Sequence, residues 1–438
     1  MRFKLVTAAC VMLSQSLSAQ TLEESIAEAI DNNPLIKQQY ARFEAYVRDR
    51  DASTSGYYPT VNIHGGIGYE DTQYNSGQKV DEQLTRKELG LKVTQNLFNG
   101  FEDVSEVDRR AFEAESERLN LLSDAENLAL DVSRVYLNTL KAEQLLQLTE
   151  RNVDDHKKVL ADIEVRSSQG LSSRSDLAQI KSRVATAESS LLAARNNLWD
   201  TRVEFMRLVG TKPENLITPK ADNFLLPTSE QDAVQKAIKY NPEIRVALAD
   251  LEAANYEINR ESGGFYPDVN LELHANYNDD IGGIEGRDND MRMMLTFTYD
   301  IYSGGNTVSK KESAIWRKEE ARSIRIRTEQ EVTEGVRLAW NAWSIQEQQL
   351  SWLEQNVDSA KETEVGYEEQ FKLNRRSLLD VLDAKVELFV ARKNYIDTFY
   401  NQRLASYRLL NATGQLNYAM RVAYPEQWKE EVITNEKD

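Results

Sequence analysis

The chain has 438 residues, with 53 Lys and Arg against 71 Asp and Glu, a formal charge of −18, 3 His and 1 Cys. A chain this acidic repels phosphate backbones and carries no basic stripe, so nucleic acid is excluded as a partner. At 41% hydrophobic it can build a core, and its 8 prolines and 19 glycines are sparse enough to point to long, uninterrupted elements.

Residues 1–19 read as a secretory signal peptide. Arg2 and Lys4 form a basic start, Leu5 to Leu13 an apolar run, and Ser14, Ser16, Ser18 and Ala19 a small-residue region cleaved after Ser18 or Ala19. Cleavage removes Cys10, and with it disulfides, thiolate catalysis and cysteine metal sites. A lipoprotein reading would need Cys10 as the new N-terminus, and the stretch before it is very short. Downstream there is no run of 18 consecutive apolar residues, so no transmembrane helix is expected. Periplasm, secretion or an outer-membrane β-barrel remain.

The rest repeats itself. Asn33-Pro34 recurs as Asn241-Pro242, and Gly56-Tyr57-Tyr58-Pro59 as Gly264-Phe265-Tyr266-Pro267. Leu97-Phe98-Asn99-Gly100 is echoed by Ile301-Tyr302-Ser303-Gly304, Asp176-Leu177 by Asp380-Val381, and Gly210 by Gly414. The expected organisation is a first repeat over 20–210, a proline-rich linker over 211–228, a second repeat over 229–414 and a tail over 415–438. In each repeat a helical lead-in precedes two strands. Strands are expected at about 56–71 and 88–98, with a polar loop over 72–87, and again at about 265–279 and 291–302.

Val61, Ile63, Ile67 and Tyr69 alternate with polar or small residues, as do Leu89, Leu91 and Val93, Leu271 and Leu273, and Met291 to Phe297. Each strand therefore has one apolar and one wet side. About ten residues suffice to span a bilayer when tilted, and aromatics near the strand ends suit an interfacial girdle. An ordinary sheet packed on a helix would give the same alternation. Four strands cannot close a barrel, and lipid does not tolerate an open edge. A membrane location therefore forces oligomerisation, and three chains would supply twelve strands.

Long helices follow each strand pair, at about 101–168 and 171–209, then about 305–372 and 377–412. Asp103 to Ser168 holds neither proline nor glycine, and Leu146, Val153 and Leu160 recur every seven residues. About 65 helical residues would be roughly 100 Å long. A structural coiled coil is the alternative on this evidence alone. His64 and His274 fall on the polar strand faces, and His156, among charged neighbours, reads as solvated. No phosphate-binding loop, metal-protease motif or nucleophile elbow is present. The expectation is no enzyme, no cofactor, no metal and no catalytic residue.

These features resemble the TolC family of outer-membrane channels over nearly the whole mature chain. The marks are the two Asn-Pro helix starts, the two Gly-aromatic-Tyr-Pro motifs, the Asn99-Gly100 and Gly304-Gly305 corners, and above all Ser377-Leu378-Leu379-Asp380-Val381-Leu382-Asp383-Ala384. The resemblance implies a mainly α fold with a small β part. It implies a homotrimer with a 12-stranded barrel in outer-membrane lipid, continuous with a long α-helical periplasmic barrel. The periplasmic tip would be closed at rest and open when a periplasmic adaptor and an inner-membrane transporter dock.

Asp380 and Asp383, at i and i+3, share a helix face. Under threefold symmetry they would form two carboxylate rings favouring cations at a constriction. Part of their charge also suits the helix N-terminus. The family match places Arg376 at the gate arginine, with Asp176 and Ser175 as its partners, so an arginine–aspartate link is expected. Phe371 stands where relatives can carry a tyrosine, so a hydroxyl link is missing there. The turns holding Gln169, Gly170, Leu171, Ser172 and Ser173, and Leu373, Asn374 and Arg375, are the expected adaptor-docking tips. Gly56 to Pro59, Asn96 to Gly100 and Gly170 to Asp176 look most like the type I secretion branch, which implies an ABC-type transporter and a large unfolded cargo such as a repeat-rich adhesin or toxin. Small-molecule or multidrug efflux is the first alternative, and a periplasmic coiled-coil adaptor is the alternative of another class.

Overall fold

The computed structural model describes residues 20–76, 78–219, 225–373 and 375–428. The expected signal peptide, residues 220–224 of the linker, Asn374 and residues 429–438 of the tail lie outside the described residues. The chain forms two units. One takes residues up to Ile36, Asp124–Tyr240 and Thr333–Ala423; the other takes Lys37–Ser123, Asn241–Val332 and Tyr424 onward.

The same element order runs twice. First come α1 (Leu22–Asn32), α2 (Pro34–Ser53), β1 (Thr60–Ser76), β2 (Gln78–Asn99), α3 (Glu102–Ser168) and α4 (Arg174–Val209). Then follow α5 (Glu230–Tyr240), α6 (Pro242–Ser262), β3 (Asp268–Ile281), β4 (Ile284–Thr298), α7 (Asn306–Lys372) and α8 (Leu378–Ala412), with a short α9 (Leu416–Ala419). The Asn-Pro pairs start α2 and α6 for a simple reason. The asparagine side chain accepts the backbone N–H two residues on, at 2.9 Å in both copies, and proline needs no hydrogen-bond acceptor in the first turn.

The four strands form one antiparallel meander in the order β1-β2-β3-β4. Its first hairpin is longer than expected. The polar stretch 72–87, read as a loop, is strand up to Ser76 and again from Gln78, with Thr72 opposite Glu82 and Glu70 opposite Leu84. Residues 56–59 precede β1 instead of belonging to it, and β4 ends at Thr298, short of the expected 302. Each hairpin strand satisfies its backbone through its neighbour, so polar side chains do not stop the pairing. Large apolar side chains line one uncovered face, including Ile63, Ile67, Tyr69, Met293, Leu295 and Phe297. Strands β1 and β4 each pair on one side only among the described residues.

The strand-to-helix corner after β2 demands glycine. Gly100 has φ of +67°, and a Cβ there would lie 2.4 Å from the Gly263 carbonyl oxygen. In the other unit, the buried Tyr136 fixes the start of the linker. Its hydroxyl lies 2.8 Å from the Gln20 carbonyl and accepts the Ile217 N–H at 3.1 Å. The tail packs as far as Trp428, whose ring stacks on Tyr40 and whose carbonyl accepts from Arg118 at 3.0 Å. Trp316 and Trp352 are exposed on the single chain.

Candidate constriction and gate at the hairpin tips

The two helical hairpins turn in the same way. After α3 the Leu171 N–H reaches back to the Arg166 carbonyl, and after α7 the Arg375 N–H reaches back to Gln370, both at 2.8 Å. These bonds close the helix ends in the Schellman manner, and Gly170 takes the left-handed φ of +76° that the first turn requires. Leu171 and Leu373 are exposed at the turns. The returning helices then start on matching capping boxes. Ser173 and Asp176 exchange bonds at the start of α4, and Ser377 and Asp380 do so at the start of α8.

This determines what each predicted gate residue touches. The Asp176 carboxylate accepts from the Ser173 N–H and from the Ser172 hydroxyl, both at 3.0 Å, and these bonds, the backbone one first, hold it below the usual aspartate range. Ser175 bonds the Ser173 hydroxyl at 3.0 Å. Asp380 accepts from the Ser377 hydroxyl at 2.8 Å, which lowers its pKa, helped by the Ser377 N–H and by Arg376 at 3.7 Å. Arg376 also donates to the Gln370 side chain at 3.1 Å and lies 4.0 Å from the centre of the Tyr367 ring. Within the chain, no Arg376–Asp176 ion pair forms among the described residues. Each of the two is engaged by its own hairpin. Phe371 is packed against the apolar cluster at the tips, with the Arg166 guanidinium 4.9 Å from its ring centre.

The hairpins are joined elsewhere. The Arg183 guanidinium, on α4, donates to the Asp383 carboxylate, on α8, at 2.8 Å. Beneath this pair Ile163 of α3, Ile180 of α4 and Leu378 and Leu382 of α8 form one buried cluster. Lys385, two residues beyond Asp383 on α8, is half-buried and bonded to Glu364 of α7 at 2.8 Å and to Glu368. Burial alone would lower the Lys385 pKa, but its bonds to the two glutamates outweigh that and raise it.

His156 corrects the sequence expectation. It is 3% exposed, not solvated, and its Nδ1 has no hydrogen-bond partner among the described residues. Sequence reasoning also missed Arg183, which lies seven residues after Asp176 and so on the same face of α4. That spacing was the available signal.

On the polar face of the sheet the His64 ring lies over Gly90, where a Cβ would come within 2.3 Å of it. The His274 Nε2 is 2.9 Å from Glu272, and Lys92 is 3.5 Å from the same carboxylate. Among the described residues no group of three or more His, Cys, Asp or Glu is placed to hold a metal ion. Among the described residues no helix is long and apolar enough to cross a membrane.

A family model described as outer membrane efflux protein matches residues 25–211 and again residues 233–415. The chain is similar to the outer membrane efflux protein BepC of Brucella suis biovar 1, at 25% identity over 94% of this chain and 91% of BepC. It is similar to the alkaline protease secretion protein AprF of Pseudomonas aeruginosa, at 22% identity over 93% of this chain and 87% of AprF. Its backbone is similar to that of the outer membrane protein VceC of Vibrio cholerae, with a TM-score of 0.78 at 17% identity, over 90% of this chain and 96% of that one.

Proposed function

The chain belongs to the outer membrane efflux protein family and is an outer-membrane export channel, and from that footing we propose that it works as the exit duct of a type I secretion system. One observation carries the channel reading: a four-stranded sheet with an uncovered apolar face and two open edges. Lipid suits the apolar face but not the edges, and pairing β4 of one copy with β1 of the next removes them. Three copies give twelve strands and a polar lumen. The hairpin tips would then converge as a periplasmic constriction, with Asp380 and Asp383 in rings and the 169–173 and 373–375 turns offered to a periplasmic adaptor. An inner-membrane transporter of the ABC type would supply the cargo.

Support for protein cargo comes from the motifs at Gly56 to Pro59, Asn96 to Gly100 and Gly170 to Asp176, and from the similarity to AprF, whose name speaks of protease secretion. Small-molecule efflux is the second reading, favoured by the name of BepC. Deleting the gene and comparing culture supernatants by mass spectrometry separates the two. Loss of one large secreted protein with unchanged drug tolerance supports secretion; the reverse pattern refutes it. Purified trimer in planar bilayers tests the pore itself. Cation-selective openings that lose selectivity in Asp380→Asn/Asp383→Asn support the carboxylate rings, and unchanged selectivity rejects them.

A further inference from the structure

His156 is buried at the place where the two hairpins meet, and the mechanism above gives it no task. The same position in the second copy is Ala360, which is also buried, so the site is core in both repeats and only one carries a titratable ring. The charges acting on His156 are cationic on two sides: Lys385 from α8 and Arg183 from α4. Asp155, its neighbour on α3, is the one opposing group. Lys385 stays charged because Glu364 and Glu368 of α7 hold it, and Arg183 is paired with Asp383. A cavity of about 40 Å³ lined by Arg151, Asp155, Glu364, Lys385 and Arg392 adjoins this network, room for a water or two.

We propose that His156 makes the contact between the two hairpins sensitive to acid, so that protonating its ring loosens the Arg183–Asp383 link and favours the open tip. The inference rests on the channel reading and adds a regulator to the same gate. With the hairpins in contact the ring takes up a proton less readily than a free imidazole. Burial first, and then Lys385 and Arg183, push its pKa below the ordinary value. Once the hairpins separate, water reaches the ring and it regains a pKa of about 6.5. Above that pH the two arrangements bind no proton at His156 and acid has no leverage. Below it the separated arrangement takes up the proton more readily, so falling pH shifts the balance towards opening. At pH 5.5 the bias reaches at most about tenfold per protomer, the ratio set by one pH unit below the ordinary pKa. The periplasm is open to small solutes through the outer membrane, so an acidic medium reaches this site.

The test uses the full-length trimer in planar bilayers at pH 7.5 and 5.5, in an Asp380→Asn background that removes one titrating carboxylate. Open probability should rise several-fold on acidification, and His156→Gln should abolish most of that rise. An acid response of equal size in His156→Gln overturns the proposal while leaving the channel intact. If His156→Gln fails to give heat-modifiable trimer, Arg183→Gln takes its place. Removing that repelling cation should shrink the response, and an undiminished one refutes the mechanism. A confirmed trimer with no openings at either pH refutes the channel reading instead.

Discussion

Leu382→Ala should open the tip more than any loss of polar contact there. Leu382 is fully buried in the cluster with Ile163, Ile180 and Leu378, which joins α8 to α3 and α4. Removing its branched end forfeits the burial of about three carbons, at about 0.8 kcal/mol each, and leaves a cavity. Leu→Ala changes of this kind cost about 2–5 kcal/mol. The Arg183–Asp383 pair bridges the same elements, but its side chains are 35% and 57% exposed. Pairs so placed contribute under about 1 kcal/mol. The apolar cluster therefore outweighs the ion pair in holding the hairpins together, although the ion pair is the contact that looks like a latch.

The assay is open probability in planar bilayers at pH 7.5, paired with the melting temperature of the trimer. Leu382→Ala should melt lower than wild type and open more often, and Arg183→Gln should change both less. Two results would refute the reasoning. One is Arg183→Gln opening more than Leu382→Ala. The other is a lower melting temperature in Leu382→Ala with unchanged opening, which would make the cluster a support of the fold and not of the closed tip.

Other expectations concern the scaffold. Gly100→Ala should prevent heat-stable trimer on denaturing gels, because it combines a left-handed φ, worth about 1–2 kcal/mol, with a 2.4 Å approach to the Gly263 carbonyl. Glu106→Gln should lower the melting temperature at pH 7 but little near pH 2. Burial alone would raise the Glu106 pKa, yet bonds from Arg109, Arg110 and Arg260 bring it down to about 2, so its contribution is complete above about 4.5 and is lost as pH falls from there. Ser377→Ala should cost about 1 kcal/mol by opening the capping box of α8, seen as faster amide exchange at Leu378 to Asp380 with later turns unchanged.

The helices were legible because nothing in them could stop a helix: Glu102–Ser168 lacks both proline and glycine, and the serine caps announce each return. The apolar faces of the strands were legible from alternation. The outer part of the first hairpin was not, because hydropathy reports burial, and backbone pairing with a hairpin partner requires no apolar face. Thr72 to Lys87 therefore looked like a loop while its backbone was fully able to pair. His156 was misread for a different reason. Its sequence neighbours Asp154, Asp155, Lys157 and Lys158 are charged, but along a helix its companions are Val153, Leu160 and Ile163, an apolar face with one imidazole in it.

The duplication explains which site residues sequence could place. Asp176 and Asp380 occupy the same position in the two copies, and the structure gives them the same local work, closing a capping box with the serine three residues before. Their shared identity is thus accounted for by helix initiation, whatever more Asp380 does in a trimer. Asp383 has no such account, since its counterpart is Gln179. Its partner Arg183 has Glu387 as counterpart, and His156 has Ala360. The Arg183–Asp383 contact between the hairpins is therefore made where the copies differ, since the counterparts Glu387 and Gln179 cannot form an ion pair. Matching the repeats finds the positions common to both, which build each hairpin. Subtracting them leaves Arg183, His156 and Asp383, the polar groups set beside the apolar cluster that holds the hairpins together.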